Sequence, residues 1–203
     1  MSKTIITISR EFGSGGRSIG KSVAEALEIP YYDKELIKQV AEKTGFAPEY
    51  VENAGEYAPG KSVLAYFAAF SGRADVMGGM NASDFLWCMQ RQVILDLVEK
   101  GSCVIVGRCA DYILAGRPDV VRVFVHADKD FCLEQAMKVD SLPENEVAKK
   151  IAEIDEYRAR YYKHHTGHDW YDARNYDLSL NSGVLGFDGT VEEIIKYMEV
   201  REQ

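Results

Sequence analysis

Cysteine is scarce in this chain of 203 residues: Cys88, Cys103, Cys109 and Cys132 are the four present, and no two form a CxxC pair. That spacing shows no extracellular disulfide framework, and free thiols in a reducing cytosol are the simplest account. Long apolar runs are missing too. The longest are strand-length, far short of the roughly 20 residues that a membrane-spanning helix needs. The opening Met1-Ser2-Lys3-Thr4-Ile5-Ile6 carries no basic-then-apolar leader, so no secretory signal is expected and the cytoplasm is the expected address. Positive charge is in deficit, with 24 Lys and Arg against 32 Asp and Glu, a net −8. This balance argues against a protein that coats nucleic acid by neutralising its phosphates. Small phosphorylated ligands stay open, because a few local cations suffice for them. Repeats and low-complexity stretches are absent. What is there, 46% hydrophobic and 28% charged residues, suits one ordinary globular core with attached subdomains.

Periodicity predicts alternating elements. Thr4 to Ser9 reads as a strand, followed by the glycine-rich run Gly13-Ser14-Gly15-Gly16 and a helix with Ile19, Val23 and Leu27 on one face. A short strand near Ile29 to Tyr32 and a helix over Lys34 to Lys43, with Asp33 placed to cap it, complete the opening of a βαβ unit. Residues 44–82 read as a helical insertion, with an aromatic patch from Leu64 to Phe70 that is best taken as subdomain core. A helix from Ser83 stops at Gly101, and Cys103 to Val106 is a fully buried strand ending in Gly107-Arg108. Val120 to Val125 is a further strand, and Asp128 precedes a helix to about Lys138. Ser141 and Glu144 suggest a capping box for a long helix to about Tyr162. Asp177 to Asn181 is a last strand, and Thr190 with Glu193 suggests a capping box for the terminal helix. Five strands alternating with helices predict an α/β three-layer sandwich with a parallel sheet.

The glycine-rich run fits a phosphate-binding loop in two registers. Gly15 to Ser22 satisfies G-x-x-x-x-G-K-[ST] to the letter, but leaves five residues between Ser9 and the first glycine. The preferred register begins at Arg10, Arg-Glu-Phe-Gly-Ser-Gly-Gly-Arg-Ser, and follows the strand directly. Gly13, Ser14, Gly15 and Gly16 would then cradle phosphate with backbone N–H groups at a helix N-terminus. Ser18 becomes the hydroxyl that would meet Mg²⁺. Gly16 takes the usual lysine position, so Arg17, or Lys21 one turn on, would have to supply the missing cation.

The segment from Ile5 to Lys21 resembles the opening of the cytidylate-kinase-like proteins, relatives of bacterial cytidylate kinase. Gln90-Arg91, Gly101, Val104-Ile105-Val106-Gly107-Arg108, Pro118 to Val125 and Tyr176 to Ser182 agree with the family in order and spacing. The resemblance implies a phosphate-loop nucleoside-monophosphate-kinase fold with strand order 2-3-1-4-5. It further implies transfer of the γ-phosphoryl of ATP, with Mg²⁺, to a nucleoside monophosphate. By the same resemblance Arg108 faces the acceptor phosphate, and Asp33 stands where the acceptor site begins. The chain departs from cytidylate kinases at Gly16 and at Val106, where an acid often sits.

Asp155-x-x-Arg158-x-Arg160 resembles the family's lid helix, within a lid region spanning 141–170. Lid arginines close over the transferring phosphoryl. Lys149 and Lys150 on the same helix read as a solvated face. His164 and His168 have metal-ligand spacing, but no Glu lies between them and Gly167 interrupts, so polar contacts are the simpler reading. The leading expectation is a phosphotransferase with small nucleotide substrates and CMP as first acceptor. A catalytically weak nucleotide sensor and a small-molecule kinase with a non-nucleotide acceptor stand as alternatives.

Overall fold

The computed structural model describes residues 3–56, 80, 82–138 and 143–201. Five strands form its sheet: β1 (Ile5–Arg10), β2 (Tyr31–Tyr32), β3 (Cys103–Val106), β4 (Val120–His126) and β5 (Leu178–Asn181). All four pairings are parallel, in the order β2-β3-β1-β4-β5. Each parallel neighbour demands a crossover, which helices supply. They are α1 (Gly16–Ala26), α2 (Lys34–Thr44), α3 (Pro48–Glu56), α4 (Ala82–Glu99), α5 (Ala110–Ile113), α6 (Lys129–Met137), α7 (Glu144–Thr166) and α8 (Ser182–Arg201).

Side-chain alternation assigns the two faces of the sheet. Ile5, Cys103 and Ile105 meet α2, α3 and α4 in one core, with Leu36, Val40, Val93 and Leu97 among the fully buried partners. Ile6, Ile8, Val104, Val106, Val123 and Val125 face α1 and α8, against Ile19, Val23, Ile194 and Met198. A third cluster of Cys109, Phe124, Tyr162, Trp170 and Tyr176 ties the end of α7 to the carboxyl end of β4. The result is the three-layer α/β sandwich with strand order 2-3-1-4-5, and the loops that could hold a ligand gather at the carboxyl ends of β1 and β3.

The strand at Cys103–Val106 matches its sequence boundaries, and the others shift by one or two residues. The terminal helix differs more. It begins at Ser182, breaks at Gly186 (φ 70°, ψ 173°), and carries Thr190 within its second segment. Thr190 Oγ1 donates to the Gly186 carbonyl at 2.6 Å, so this residue bonds back across the break from within the helix and forms no capping box. Asp33 and Asp128 occupy N-cap positions without side-chain capping bonds. The aromatic patch 64–70 and Ser141 lie outside the described residues.

Candidate active site

β1 runs directly into the glycine-rich turn, and α1 begins at Gly16. This is the register that starts the loop at Arg10. It leaves Gly20, Lys21 and Ser22 inside α1, where Gly20 allows close approach: a Cβ there would lie 3.0 Å from Ile8 Cδ1. Gly13 and Gly15 take positive φ, 85° and 79°, which turns the loop back over the strand ends. Ser14 is fully buried, its hydroxyl donating to the carbonyls of Glu11 (2.9 Å) and Val125 (3.1 Å). The Ser182 hydroxyl in turn donates to the Ser14 carbonyl at 2.6 Å. Ser14 therefore anchors the loop to β4 and α8 with its side chain.

Among the described residues, two cavities adjoin this loop. The larger, about 410 Å³, is bounded by residues 10–13 and 15–18, by Gln135 and Ala136 of α6 with Lys138 just after it, and by Arg158 and Phe187. The smaller has room for about one water-sized group and is lined by Ser9, Arg10, Gly107, Arg108, Cys109, Arg158 and three aromatic side chains from 161, 162 and 170. Arg10 and Arg158 belong to both and form the shared wall. Arg158 Nη1 donates to the Arg10 carbonyl and to Asp155 Oδ1, each at 3.2 Å. Asp155 also accepts from the Phe12 N–H, at 2.8 and 3.1 Å, so it joins the phosphate loop to α7. Burial raises the Asp155 carboxyl above its ordinary range, while Arg158 and Arg10 pull it down.

Arg108 stands on a strained corner, since Gly107, Arg108 and Cys109 all have positive φ (70°, 59° and 52°). For the two non-glycine residues this conformation costs on the order of 1–3 kcal/mol each. The surroundings hold it: Gly107 N–H donates to Ile8, and Gln90 Nε2 to the Arg108 carbonyl at 3.3 Å. The guanidinium donates to the carbonyls of Val51 (2.8 Å) and Glu52 (3.3 Å), linking the corner to α3. Behind it Asp111 is buried and accepts from Tyr162 Oη at 2.6 Å and Ser9 Oγ at 3.4 Å; burial raises its carboxyl.

In sequence, residues 5–184 match the cytidylate kinase-like family. The chain belongs to the cytidylate kinase-like family. No curated protein matches it. In structure, an uncharacterized protein from Eubacterium ventriosum is similar at 28% identity and TM-score 0.73, covering 97% of this chain and 99% of the other. Shikimate kinase from Bacteroides thetaiotaomicron shares the fold at 14% identity and TM-score 0.58, over 98% and 99% of the two chains. Shikimate kinase from Acinetobacter baumannii, solved in complex with shikimate, does so at 13% identity and TM-score 0.54, over 98% and 94%. Family and fold are those of phosphate-loop kinases.

For this cytidylate kinase-like chain, the expected site residues divide sharply. Gly13, Gly15, Gly16, Arg17 and Ser18 border the larger cavity, and Arg108 and Arg158 border the smaller. Arg17 Nε lies 3.1 Å from Asp33 Oδ2, so these two residues engage each other beside the loop. Lys21 points away: one turn beyond Arg17 along α1, its side chain is 67% exposed and its ammonium is 3.6 Å from Glu25. Arg160 is likewise 65% exposed and pairs with Glu156 at 3.7 Å, on the opposite side of α7 from Arg158. Sequence reading missed Arg10, Glu11, Lys138 and Phe187. The one available signal was a buried-strand position, residue 10, filled by arginine immediately before a glycine turn. The fit to a triphosphate rests on the glycine cradle and the open cavity beside it. Ser18 is exposed on that cavity, where its hydroxyl would join water in holding Mg²⁺.

The histidines go elsewhere. His165 stacks on Trp87 with ring centroids 4.3 Å apart at 10°, and the His168 ring nitrogen Nδ1 lies 3.1 Å from Asn175 Oδ1. Among the described residues no group of three His, Cys, Asp or Glu side chains is arranged to hold a metal. Burial, with His164 beside it, lowers the His165 pKa to about 4. Between pH 6.5 and 4 the unfolded chain binds a proton there that the folded chain does not. Stability from this residue is thus complete above about pH 6.5 and lost as pH falls toward 4. The melting temperature is expected to fall between pH 7 and pH 5 by less in His165→Phe than in wild type; equal falls would contradict the assignment.

Proposed function

We propose that this chain transfers the γ-phosphoryl of ATP to a small anionic acceptor, with CMP the first candidate. The observation that carries the reading is the pair of adjoining cavities, one on the glycine loop and one walled by three arginines, with Arg10 and Arg158 between them. Donor phosphates would occupy the loop side, held by the backbone of Gly13, Gly15 and Gly16 and by Arg17. Arg108 would take the acceptor's anionic group, and Arg158 would neutralise charge on the group in transit. Such transfer is mostly positioning plus electrostatic stabilisation, and this arrangement supplies both. Ser18 would help hold Mg²⁺, which would supply neutralising charge to the donor phosphates.

Two features favour keeping a non-nucleotide acceptor as a second reading: the small size of the arginine-walled cavity and the shared fold of the shikimate kinases. Release of ADP from ATP and Mg²⁺, measured against CMP, dCMP, UMP, AMP, GMP, shikimate and no acceptor, separates the readings. Turnover with one nucleotide supports the proposal. Turnover with shikimate alone favours the second. Tight ATP binding without turnover of any acceptor favours a nucleotide sensor. Arg17→Ala is expected to weaken ATP binding about tenfold, as the loss of one charge-assisted contact does. Lys21→Ala should leave it unchanged, and the reverse order would sink the loop assignment.

A further inference from the structure

The phosphate loop has no side chain at position 16, where its register calls for a lysine. We propose that Arg10, at the end of β1, supplies that cation from the strand side of the loop. The proposal rests on the donor half of the phosphotransferase reading.

A Cβ on Gly16 would lie 2.4 Å from Arg10 Cβ and 2.9 Å from Arg10 Cγ. Real Cβ atoms do not approach so closely, so a side chain at 16 and the arginine at 10 exclude each other. Glycine at 16 is then the condition for Arg10 to pack where it does. Arg10 lines both cavities, although the residue is only 4% exposed. Burying a guanidinium is costly unless charge of the other sign meets it. Four cationic residues, Arg10, Arg17, Lys138 and Arg158, border the larger cavity against one carboxyl, Glu11. Glu11 accepts from the Ala127 N–H at 3.3 Å, and burial holds it toward the protonated form. Asp155 stands behind the shared wall and answers part of this charge. Asp33, 3.1 Å from Arg17, answers another part, and a polyanion in the cavity would meet the cations that line it.

The competing cations are placed differently. Arg17 engages Asp33, and Lys21, one turn beyond it along α1, is exposed beside Glu25. Lys138 sits at the C-terminal end of α6, on the far rim. Arg158 reaches the wall from α7, its Nη1 on the Arg10 carbonyl. Arg10 packs its Cβ and Cγ against residue 16. The chain has thus moved the cation from the loop–helix junction to the strand, and replaced an ammonium by a guanidinium able to fork two oxygens.

The test titrates Mg-ATP and, separately, adenosine into the full chain as wild type, Arg10→Met, Arg10→Lys, Gly16→Lys and the double variant Arg10→Ala/Gly16→Lys. Folding is checked by circular dichroism. Arg10→Met is expected to weaken ATP about 10- to 100-fold, the effect of losing charge-assisted hydrogen bonds, and to leave adenosine unchanged. Arg10→Lys should lose less. Gly16→Lys alone should be impaired by collision with Arg10, and removal of Arg10 in the double variant should restore ATP affinity toward wild type. In the wild-type chain, the Arg10 Nε–H resonance should shift with ATP and not with adenosine, a readout that needs no variant to fold. Unchanged ATP affinity in folded Arg10→Met, or an unmoved resonance, overturns the Arg10 assignment and leaves the phosphotransferase reading standing. Failure of the wild type to bind ATP overturns both.

Discussion

Gly13→Ala is expected to cost far more than Gly116→Ala, although both glycines have nearly the same backbone, φ 85° and 81°. At Gly116 nothing lies within 4 Å of the new methyl, so only the left-handed conformation is charged, roughly 1–2 kcal/mol. At Gly13 the methyl would sit 2.4 Å from the Cys132 carbonyl oxygen and 2.8 Å from its Cα. Both atoms belong to the backbone of α6, which cannot swing aside as a side chain can. Overpacking of this kind adds about 1–3 kcal/mol, for a total of about 2–5 kcal/mol. Relief would come from lifting the loop off α6, and a loop displaced by an ångström can lose about 100-fold in turnover. Urea denaturation of the two variants gives the stability difference, and ATP titration gives the functional one. Equal costs at the two sites would show that α6 does not press on the loop.

This contact between Gly13 and α6 marks the border of what the sequence discloses. Apolar runs such as Cys103-Val104-Ile105-Val106 and four-residue periodicity in α1 report one-dimensional facts, burial and repeat, and these placed the strands and helices. The choice of loop register was legible for the same reason, because the periodicity of Ile19 and Val23 starts where α1 starts. Side-chain direction was not legible. Arg17 and Lys21 lie one turn apart on α1, yet one lines the cavity and the other faces solvent. Arg158 and Arg160 are two residues apart, which on a helix means nearly opposite faces, so a shared lid role conflicted with helix geometry from the outset. Arg10 escaped because an arginine ending a buried strand looks like an edge residue until its neighbour at 16 is known in space.

A similar limit concealed the acid that organises the wall. Asp155 was visible only as part of a spacing, three residues before Arg158, where a helix brings the two onto one face. What the spacing could not show is that the Phe12 N–H, 143 positions earlier in the chain, completes the carboxylate's hydrogen bonds. The loop and α7 are therefore coupled through Asp155 as well as through Arg158, and the wall formed by Arg10 and Arg158 depends on both.

Asp155→Leu is accordingly the second large effect we expect. The substitution removes the acceptor of the part-buried Phe12 N–H and the carboxylate beside Arg158, with nothing polar in exchange. Removing one partner of a buried ion pair costs about 3–5 kcal/mol, because the other charge keeps its desolvation penalty. Asp155→Asn retains an oxygen for Phe12 and should cost less, about 1–2 kcal/mol, since it loses charge and keeps one hydrogen bond. The two variants separate the roles of the residue. If the hydrogen bond to the loop dominates, Asn preserves ATP affinity while Leu destroys it. If charge on Arg158 dominates, Asn and Leu lose turnover alike, and ATP affinity falls less than turnover does. Urea midpoints and ATP titrations on both variants decide the matter, and wild-type stability in Asp155→Leu would show that the loop and α7 are not joined through this carboxylate.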